Sequence, residues 1–438
     1  MQTTLLIEGI VCPIKNCIQK MIKRYYRFFI ENWPPLLYSY LHSFGSSMGQ
    51  TFLLAAFVPF LRADLGMSTG DFGIIYGTAT LLSAACLVGV GVMLDKLDLR
   101  LMTVLSTVLL MVGAYLFTHS ATPFMVGVSI FLLRFAGQGT LSKISSVGTS
   151  RYFIENRGKA VSITGLGWPS GEVLLPASAV LIMDALSWQS TFMLMSGVMM
   201  ALVLVLGLIL VWPYDEFYDP VKSADKVDRE HGDSIQHYTP WSVLKTAYYS
   251  MTLPFGIIGP FLITCLFLFQ GAVAEFKGWD IKMMIFGLSF FGIVRLLVGL
   301  FAGDLVDKFT ARRMYPFVHI PMMLGVAVLL YAPHPYLMFV YFALIATSTG
   351  LSAVTSTSLW PELYGTRYLG TIKSIAMFVG IGASALGPMI TGYFLKINID
   401  VGTLLFWSIV YMGAASVLTY LAPYPKHLAP RRAKKEKS

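Results

Sequence analysis

The sequence predicts an all-α membrane protein in which twelve transmembrane helices form two pseudo-symmetric six-helix halves. The chain of 438 residues is 56% hydrophobic and 13% charged, about half the charged fraction of an average soluble domain. Apolar stretches long enough to cross a hydrocarbon core of about 30 Å recur along the whole chain. One long polar stretch divides them six and six, and features of the first half recur in the second.

Polar loops separate the predicted spans, and prolines interrupt one of them. The spans cover residues 35–61, 70–94, 101–119, 122–146, 160–183, 190–212, 249–274, 283–306, 314–332, 336–359, 370–395 and 402–422. In the seventh, Pro254 and Pro260 remove backbone hydrogen bonds, which neighbouring helices can compensate. The predicted domains are an N-terminal arm at 1–34, helical halves at 35–212 and 249–422, a linker at 213–248 and a basic tail at 423–438.

The distribution of basic residues predicts the topology. Of the 32 Lys and Arg residues, 26 lie in the two terminal segments and in every second loop, against four in the other loops. By the positive-inside rule both termini are cytoplasmic, and we expect a multi-pass protein of the cytoplasmic (inner) membrane. The net charge of +9 is thus a topology signal, and we predict no nucleic-acid partner. The arm is either a basic amphipathic helix on the membrane surface or a flexible segment that orients the first span.

An internal repeat relates the two halves. Gly91 and Gly303 are 212 residues apart, as are Pro176 and Pro388. Each of these glycines begins a Gly-x-x-x-Asp-Lys segment followed by basic residues, and the two copies comprise Gly91, Asp95, Lys96 and Arg100, and Gly303, Asp307, Lys308 and Arg312. We predict a gating role for both copies. Glycine permits close helix approach, and a carboxylate can hold a helix N-terminus or a basic residue across the cytoplasmic gate.

Two opposite charges lie near the middle of consecutive spans. Arg134 lies eleven residues after Pro123, and Glu172 lies twelve residues after Ala160, which corresponds to about 16 Å and about 18 Å of helix. Because these spans are antiparallel, we expect the two charges to meet at similar depth. A charge inside a membrane faces a partner or a wet cavity. The pair is therefore either a static link between two helices or a transport site in which Glu172 exchanges a proton.

A third charge, Arg295, lies twelve residues into the eighth span, and no acid in the seventh or eighth span obviously neutralises it. We predict that it binds an anionic substrate group, because a guanidinium pairs with a carboxylate through two parallel hydrogen bonds. The alternative is a structural partner on another helix. Further substrate-binding candidates are Arg134 and the neutral side chains of His42, Gln50, Gln138 and Gln270. For the neutral groups, hydrogen bonding between helices is an equally good interpretation.

The repeated Gly-x-x-x-Asp-Lys segments resemble the signature loop of the major facilitator superfamily, and RFAGQG at Arg134–Gly139 resembles its fourth-helix motif. A further segment resembles the helix-five signature of monocarboxylate transporters, to which oxalate/formate antiporters are related; it comprises Tyr152, Phe153, Arg157, Ala160, Gly167, Pro169 and Gly171. The resemblance implies the major facilitator fold, with a site at mid-membrane between the halves. The chain departs from this subfamily because Arg295 lies one turn deeper than its eighth-helix arginine.

We therefore expect a secondary active transporter, a symporter that moves a small organic anion, in the first interpretation a monocarboxylate, with a proton by alternating access. A second interpretation is a proton-coupled antiporter that exports drugs or hydrophobic metabolites, which spans rich in Met and aromatic residues favour. A third is a ligand sensor that does not transport. We predict no enzyme activity, cofactor or metal site, since no metal-ligand cluster or phosphate loop is present. The expected partners are the substrate, protons and the lipid bilayer, and the expected functional unit is a monomer.

Overall fold

The computed structural model describes residues 27–153, 157–211, 240–364 and 369–424. Within these residues, twelve helices are long and apolar enough to cross a membrane, which confirms the predicted fold class. We number them α1 to α12 in chain order: Arg27–Leu65, Thr69–Gly91, Leu99–Thr118, Pro123–Ser150, Lys159–Met183, Trp188–Ile209, Ala247–Leu268, Ile281–Val306, Ala311–Tyr331, Leu337–Tyr364, Ile375–Lys396 and Val401–Leu421.

The predicted boundaries differ from those in the structure by a few residues, and most at the start of α1 and the end of α7. Helix α1 already includes Arg27, the first described residue, instead of starting at residue 35. In this extension Phe28 is buried, and its ring centroid lies 5.5 Å from that of Phe153. Helix α7 ends at Leu268, and a separate short helix, Gln270–Lys277, follows it. Some predictions lie outside the described residues: the arm at 1–26, the linker at 213–239, the tail from 425 onward, and the side chains of Asp95, Lys96 and Asp307.

Side-chain caps define where many of the helices begin. A side-chain oxygen of each capping residue accepts a hydrogen bond from a backbone N–H of the first turn, which would otherwise have no partner. The caps at the starts of α2, α4, α6, α8 and α12 are Ser68, Thr122, Ser187, Asp280 and Asp400. The start of α1 and the end of α12 lie at one face of the molecule, which we call the terminal face. These even-numbered helices start at the other face, which we call the opposite face.

The two halves, α1–α6 and α7–α12, meet mainly through α2 with α11 and α5 with α8. Toward the opposite face α2 and α11 are in backbone contact, and a Cβ on Gly392 would lie 2.9 Å from the carbonyl oxygen of Gly70. Near the terminal face, Gly91 of α2 and Gly303 of α8 have no neighbouring atom of the described chain within 4 Å of a Cβ position. The halves are therefore packed together at the opposite face and separated at the terminal face.

Candidate functional site

Helix α1 is interrupted in the middle of the membrane span. Ser46–Gly49 forms a 3₁₀ turn, Gln50 has extended backbone angles (φ −83°, ψ 149°), and a new helix begins at Thr51 and runs to Leu65. Such breaks inside a membrane are tolerated where other protein groups or a water-filled cavity contact the freed backbone groups. The break presents the N-terminus of the helix Thr51–Leu65, with its unpaired N–H groups, at the centre of the molecule.

Helix α4 widens into a π-helix at Leu133–Leu141, beside the break in α1. Glycines permit the contact: a Cβ on Gly137 would lie 2.8 Å from the backbone nitrogen of Gly49, and a Cβ on Gly49 would lie 2.6 Å from that of Gln138. In this wide turn Nη1 of Arg134 donates to the carbonyl oxygen of Gly49 at 3.4 Å. The glycine-rich RFAGQG segment therefore brings Arg134 to the broken end of α1.

Arg134 is only 1% exposed, yet it has no carboxylate partner in the described part of the chain. Its Nη1 donates to Thr51 Oγ1 at 3.1 Å, and its guanidinium carbon lies 5.3 Å from the ring centroid of Tyr76. Its Nε has no hydrogen-bond partner among the described atoms. A buried charge without a counter-charge is costly, and the adjacent helix N-terminus adds further positive potential. The surroundings of Arg134 thus form a positive site that no acid of the described residues neutralises.

A cavity of about 440 Å³ lies between the two halves, and Arg134 forms part of its wall. Gln50, Thr51 and Gln138 lie beside Arg134, and the two glutamine amides make no side-chain hydrogen bond within the described residues. A second cavity of about 300 Å³, lined by residues that include Tyr249 and Trp360, adjoins the first and extends toward the terminal face. The central site is therefore reached from the terminal face and closed from the opposite face.

The expected pairing of Glu172 with Arg134 is wrong, and so is the expectation that Arg295 has no protein partner. Nη1 of Arg295 donates to both carboxylate oxygens of Glu172, at 2.7 and 2.9 Å. The Glu172 side chain is 2% exposed and that of Arg295 is 20% exposed. Equal depth in the membrane does not determine which way a helix is rotated, and α5 turns Glu172 toward α8. Gly292, one turn before Arg295, allows this approach, since its Cβ would lie 3.0 Å from the Glu172 carbonyl carbon.

The ring of Trp168 lies against the guanidinium of Arg295 in this ion pair, a role that no pattern in the sequence indicates. It lies one helical turn before Glu172 on α5, and its ring centroid is 4.9 Å from the guanidinium carbon of Arg295. Only Nη1 of Arg295 has a hydrogen-bond partner among the described residues. The pair lines the central cavity and joins the two halves. A tryptophan in an apolar helix carries no sequence signal for such a role, because tryptophan is common in packed membrane helices.

Two of the predicted substrate-binding residues lie away from the cavity walls. The ring nitrogens of His42 lie 2.9 Å from the carbonyl oxygen of Tyr38 and 2.8 Å from Thr103 Oγ1. Nε2 of Gln270 donates to the carbonyl oxygen of Ala55 at 3.1 Å. Both side chains therefore make hydrogen bonds between or within helices, which is the alternative that the sequence left open. Gln50 and Gln138, in contrast, line the cavity.

Glu362, which the sequence analysis did not assign, holds the C-terminal copy of the signature segment at the terminal face. Its Oε2 accepts hydrogen bonds from the backbone nitrogens of Ala311 and Arg312 at 3.0 and 3.4 Å, and its Oε1 lies 3.2 Å from Arg312 Nε. A carboxylate thus binds both a helix N-terminus and a basic residue. This is the interaction expected of the signature segment, but α10 supplies the acid.

The other described members of the two signature segments have local contacts. The backbone nitrogen of Arg100 donates to Asp98 Oδ1 at 2.6 Å, which caps α3. Lys308 Nζ lies 5.4 Å from the ring centroid of Phe309. Since Gly91 and Gly303 face open space, the segments of the two halves do not touch through these glycines in this conformation. Their predicted gating role requires the conformation in which the terminal face closes.

Two ion pairs join the halves at the opposite face. Lys396 Nζ lies 2.8 Å from Asp71 Oδ1, and Lys282 pairs with Asp184. Asp184 and Lys396 are 212 residues apart, and Asp71 and Lys282 are 211 apart, so the internal repeat relates one pair to the other. Both acids belong to the first half and both lysines to the second. The charges therefore attract across the interface, and together with the α2–α11 glycine contact they close this face.

Known proteins share both this sequence pattern and this architecture. The family model of the Major Facilitator Superfamily matches residues 40–388. A protein of Cupriavidus necator named as a probable sulfoacetate transporter, SauU, is 22% identical over 356 residues, which cover 77% of this chain and 81% of that protein.

Solved structures resemble the chain in fold. The crystal structure of the nucleoside transporter NupG aligns with a TM-score of 0.69 at 13% identity over 89% of this chain and 97% of its own. A bacterial homologue of the human lysosomal transporter Spinster, in an inward-facing and unoccupied conformation, aligns with a TM-score of 0.67 at 13% identity over 89% and 96%. With a family match across both halves of a twelve-helix repeat, the chain belongs to the Major Facilitator Superfamily of membrane transporters.

Proposed function

We propose that this transporter moves small organic anions by alternating access and that Arg134 binds the anionic group. The observation that carries the proposal is a buried guanidinium in the wall of the central cavity with no carboxylate beside it in the described chain. A substrate carboxylate or sulfonate would neutralise it. The primary anion site is thus assigned to Arg134, since Glu172 already neutralises Arg295.

The groups around Arg134 suit an oxyanion. The free Nε of Arg134, the N–H groups at the start of the helix Thr51–Leu65, and the side-chain amides of Gln50 and Gln138 all donate hydrogen bonds. Half-helix N-termini in broken membrane helices bind anionic substrate groups in the same way. The relative named for sulfoacetate transport supports an organic acid as cargo, and a monocarboxylate presents the same oxyanion group.

We assign proton coupling to Glu172 through its pair with Arg295. A protonated Glu172 no longer neutralises Arg295, so the pair that joins the halves weakens and the cavity wall gains a second positive charge that attracts the anion bound at Arg134. The proton and the anion thus act on the same interface. The bias of basic residues supports a cytoplasmic terminal face, and the cavity of this conformation would then open from the inner membrane toward the cytoplasm.

The assignment of Arg134 is tested by anion binding to purified protein. A panel of carboxylates and sulfonates is titrated while the melting temperature is measured, since a ligand that binds the native state raises it. Arg134→Gln should weaken binding by about tenfold to a hundredfold, because a charged hydrogen bond contributes about 1.5–3 kcal/mol. Arg134→Lys should retain part of the affinity, since it keeps the charge and loses the fork.

The matched control is Arg62→Gln, because Arg62 donates to the carbonyl oxygen of Met67 near the opposite face and does not line the cavity. This variant should bind anions as the unaltered protein does. Anion binding of unchanged strength in a folded Arg134→Gln variant would show that the anion site lies elsewhere.

One observation favours the alternative of an exporter of hydrophobic compounds. Much of the remaining cavity wall is apolar and aromatic, with Phe52, Phe267 and Phe291 among its residues. The same binding experiment distinguishes the two functions when neutral and cationic hydrophobic compounds are added to the panel. Stabilisation by these compounds, with none by organic acids, would favour the exporter.

A further inference from the structure

Two serines on α10 present hydroxyl groups that their own helix does not use. A Ser or Thr hydroxyl in a helix commonly donates to the carbonyl oxygen three or four residues earlier. Thr349 does so with Ala346 at 3.0 Å. Ser352 and Ser356 make no hydrogen bond of this kind, or any other side-chain hydrogen bond, within the described residues. Both line the central cavity and also the second cavity that leads to the terminal face.

The serine pair is not inherited from the internal repeat. At the repeat distance of 212 residues, Ser352 corresponds to Thr140 and Ser356 to Ile144. Thr140 donates to the carbonyl oxygen of Phe135 at 2.8 Å, and Ile144 is a buried core residue. The first half therefore has no free hydroxyl pair at this place. The two halves therefore contribute different groups to the cavity wall: the first half contributes the cation Arg134, and the second half contributes the hydroxyl groups of Ser352 and Ser356.

His319 lies at the same junction of the two cavities and adds a third polar group to the second half's wall. Its Nδ1 is 3.2 Å from Ser348 Oγ, which in turn donates to the carbonyl oxygen of Val318 at 2.8 Å. Gly259 leaves room for the ring, because a Cβ there would lie 2.9 Å from His319 Cε1. The imidazole is thus held by protein contacts, whereas the two serine hydroxyls have no hydrogen-bond partner among the described residues.

On the basis of the proposed anion site, we propose that the preferred substrate is a hydroxylated organic acid. Its acid group binds at Arg134, and its hydroxyl groups bind Ser352 and Ser356. A serine hydroxyl both donates and accepts, so it matches a substrate hydroxyl in either sense. When the cavity closes around a substrate and excludes water, an analogue without hydroxyls leaves the serines unpaired. A site built to hydrogen-bond a substrate hydroxyl rejects such analogues strongly, because buried polar groups then lack partners.

The proposal is tested with pairs of carboxylates that have equal charge and chain length and differ only in hydroxyl groups. Propionate is compared with glycerate, and butyrate with 2,3,4-trihydroxybutyrate. Each acid competes with the organic anion that most stabilises the purified protein in the panel above, both in binding to that protein and in uptake into proteoliposomes. The hydroxylated member of each pair should compete at least about tenfold better. In the double variant Ser352→Ala/Ser356→Ala, this preference should fall to about one, while competition by the unsubstituted acids stays the same.

The matched control is Thr349→Val on the same helix, since its hydroxyl is already bonded to Ala346. It should retain the hydroxyl preference. Equal competition by both members of each pair, or a preference that survives in the double serine variant, would overturn the proposal while the anion function stands. If neither kind of acid competes and hydrophobic compounds do, the anion function and this proposal fail together.

Discussion

The ion pair between Glu172 and Arg295 should control the equilibrium between the two conformations of the transporter. The pair joins α5 of the first half to α8 of the second, with both carboxylate oxygens bonded to Nη1 of Arg295. Glu172→Gln removes the negative charge with little change of shape and imitates the protonated acid. Arg295 is then held between the two halves without a counter-charge, and water can solvate it only when the halves separate at this point. The substitution should therefore favour the conformation in which α5 and α8 separate toward the opposite face.

The expected size of this effect follows from burial. Removing one partner of a buried ion pair costs about 3–5 kcal/mol, and we take the lower end because 20% of the Arg295 side chain is exposed. A cost of about 3 kcal/mol corresponds to roughly a hundredfold change in an equilibrium constant. Glu172→Gln combined with Arg295→Gln removes both charges, so the conformational equilibrium should return most of the way to that of the unaltered protein.

Ser289 offers a reporter for this change. It is 7% exposed, and its Oγ accepts a hydrogen bond from the backbone nitrogen of Ala177 at 2.9 Å across the α5–α8 interface. In a background where the four native cysteines are serine, a Ser289→Cys thiol should react slowly with a hydrophilic maleimide. Glu172→Gln should raise that rate by up to about a hundredfold when labelling follows the open population.

The matched control is Asp64→Asn, because Asp64 accepts hydrogen bonds from Trp188 and Gln189 within the first half and crosses no interface between the halves. It should not raise the labelling rate. A folded Glu172→Gln protein that labels at the unaltered rate would refute the conformational role of the pair. Uptake driven by a pH gradient that persists in the same variant would remove Glu172 from proton coupling.

Two further predictions concern the opposite face and the topology. Asp71→Lys should repel Lys396, open the opposite face and raise the rate of Ser289→Cys labelling. The double variant Asp71→Lys/Lys396→Asp should restore the slow rate, because the two charges are exchanged and attract again. Equal labelling rates in the single and double variants would contradict a role of this ion pair in closing the face. A cysteine placed at Ser438 should remain unlabelled when an impermeant reagent is added to intact cells, since the charge bias predicts a cytoplasmic C-terminus. Ready labelling would contradict the predicted topology.

The sequence sufficed for features that depend on distance along the chain. Apolar length predicted twelve spans, and the structure confirms that number. A nearly constant spacing between repeated motifs predicted two halves, which agrees with the family match across residues 40–388. Counting residues also placed Arg134, Glu172 and Arg295 deep within their spans. A helix advances about 1.5 Å per residue whatever surrounds it, so depth in a membrane can be calculated from local sequence alone.

Only the tertiary structure decided which of these charges meet. Glu172 pairs with Arg295, 123 residues away, and not with Arg134 on the preceding helix. The partner of a side chain depends on how its helix is rotated and which helix packs against it, and both result from contacts between the two halves. The break at Gln50 and the π-helical turn around Arg134 lie against each other at one close contact between α1 and α4. A contact between two distant segments cannot be read from either segment alone. This contact places Arg134 beside Gly49 and Thr51, where it has no acidic partner among the described residues.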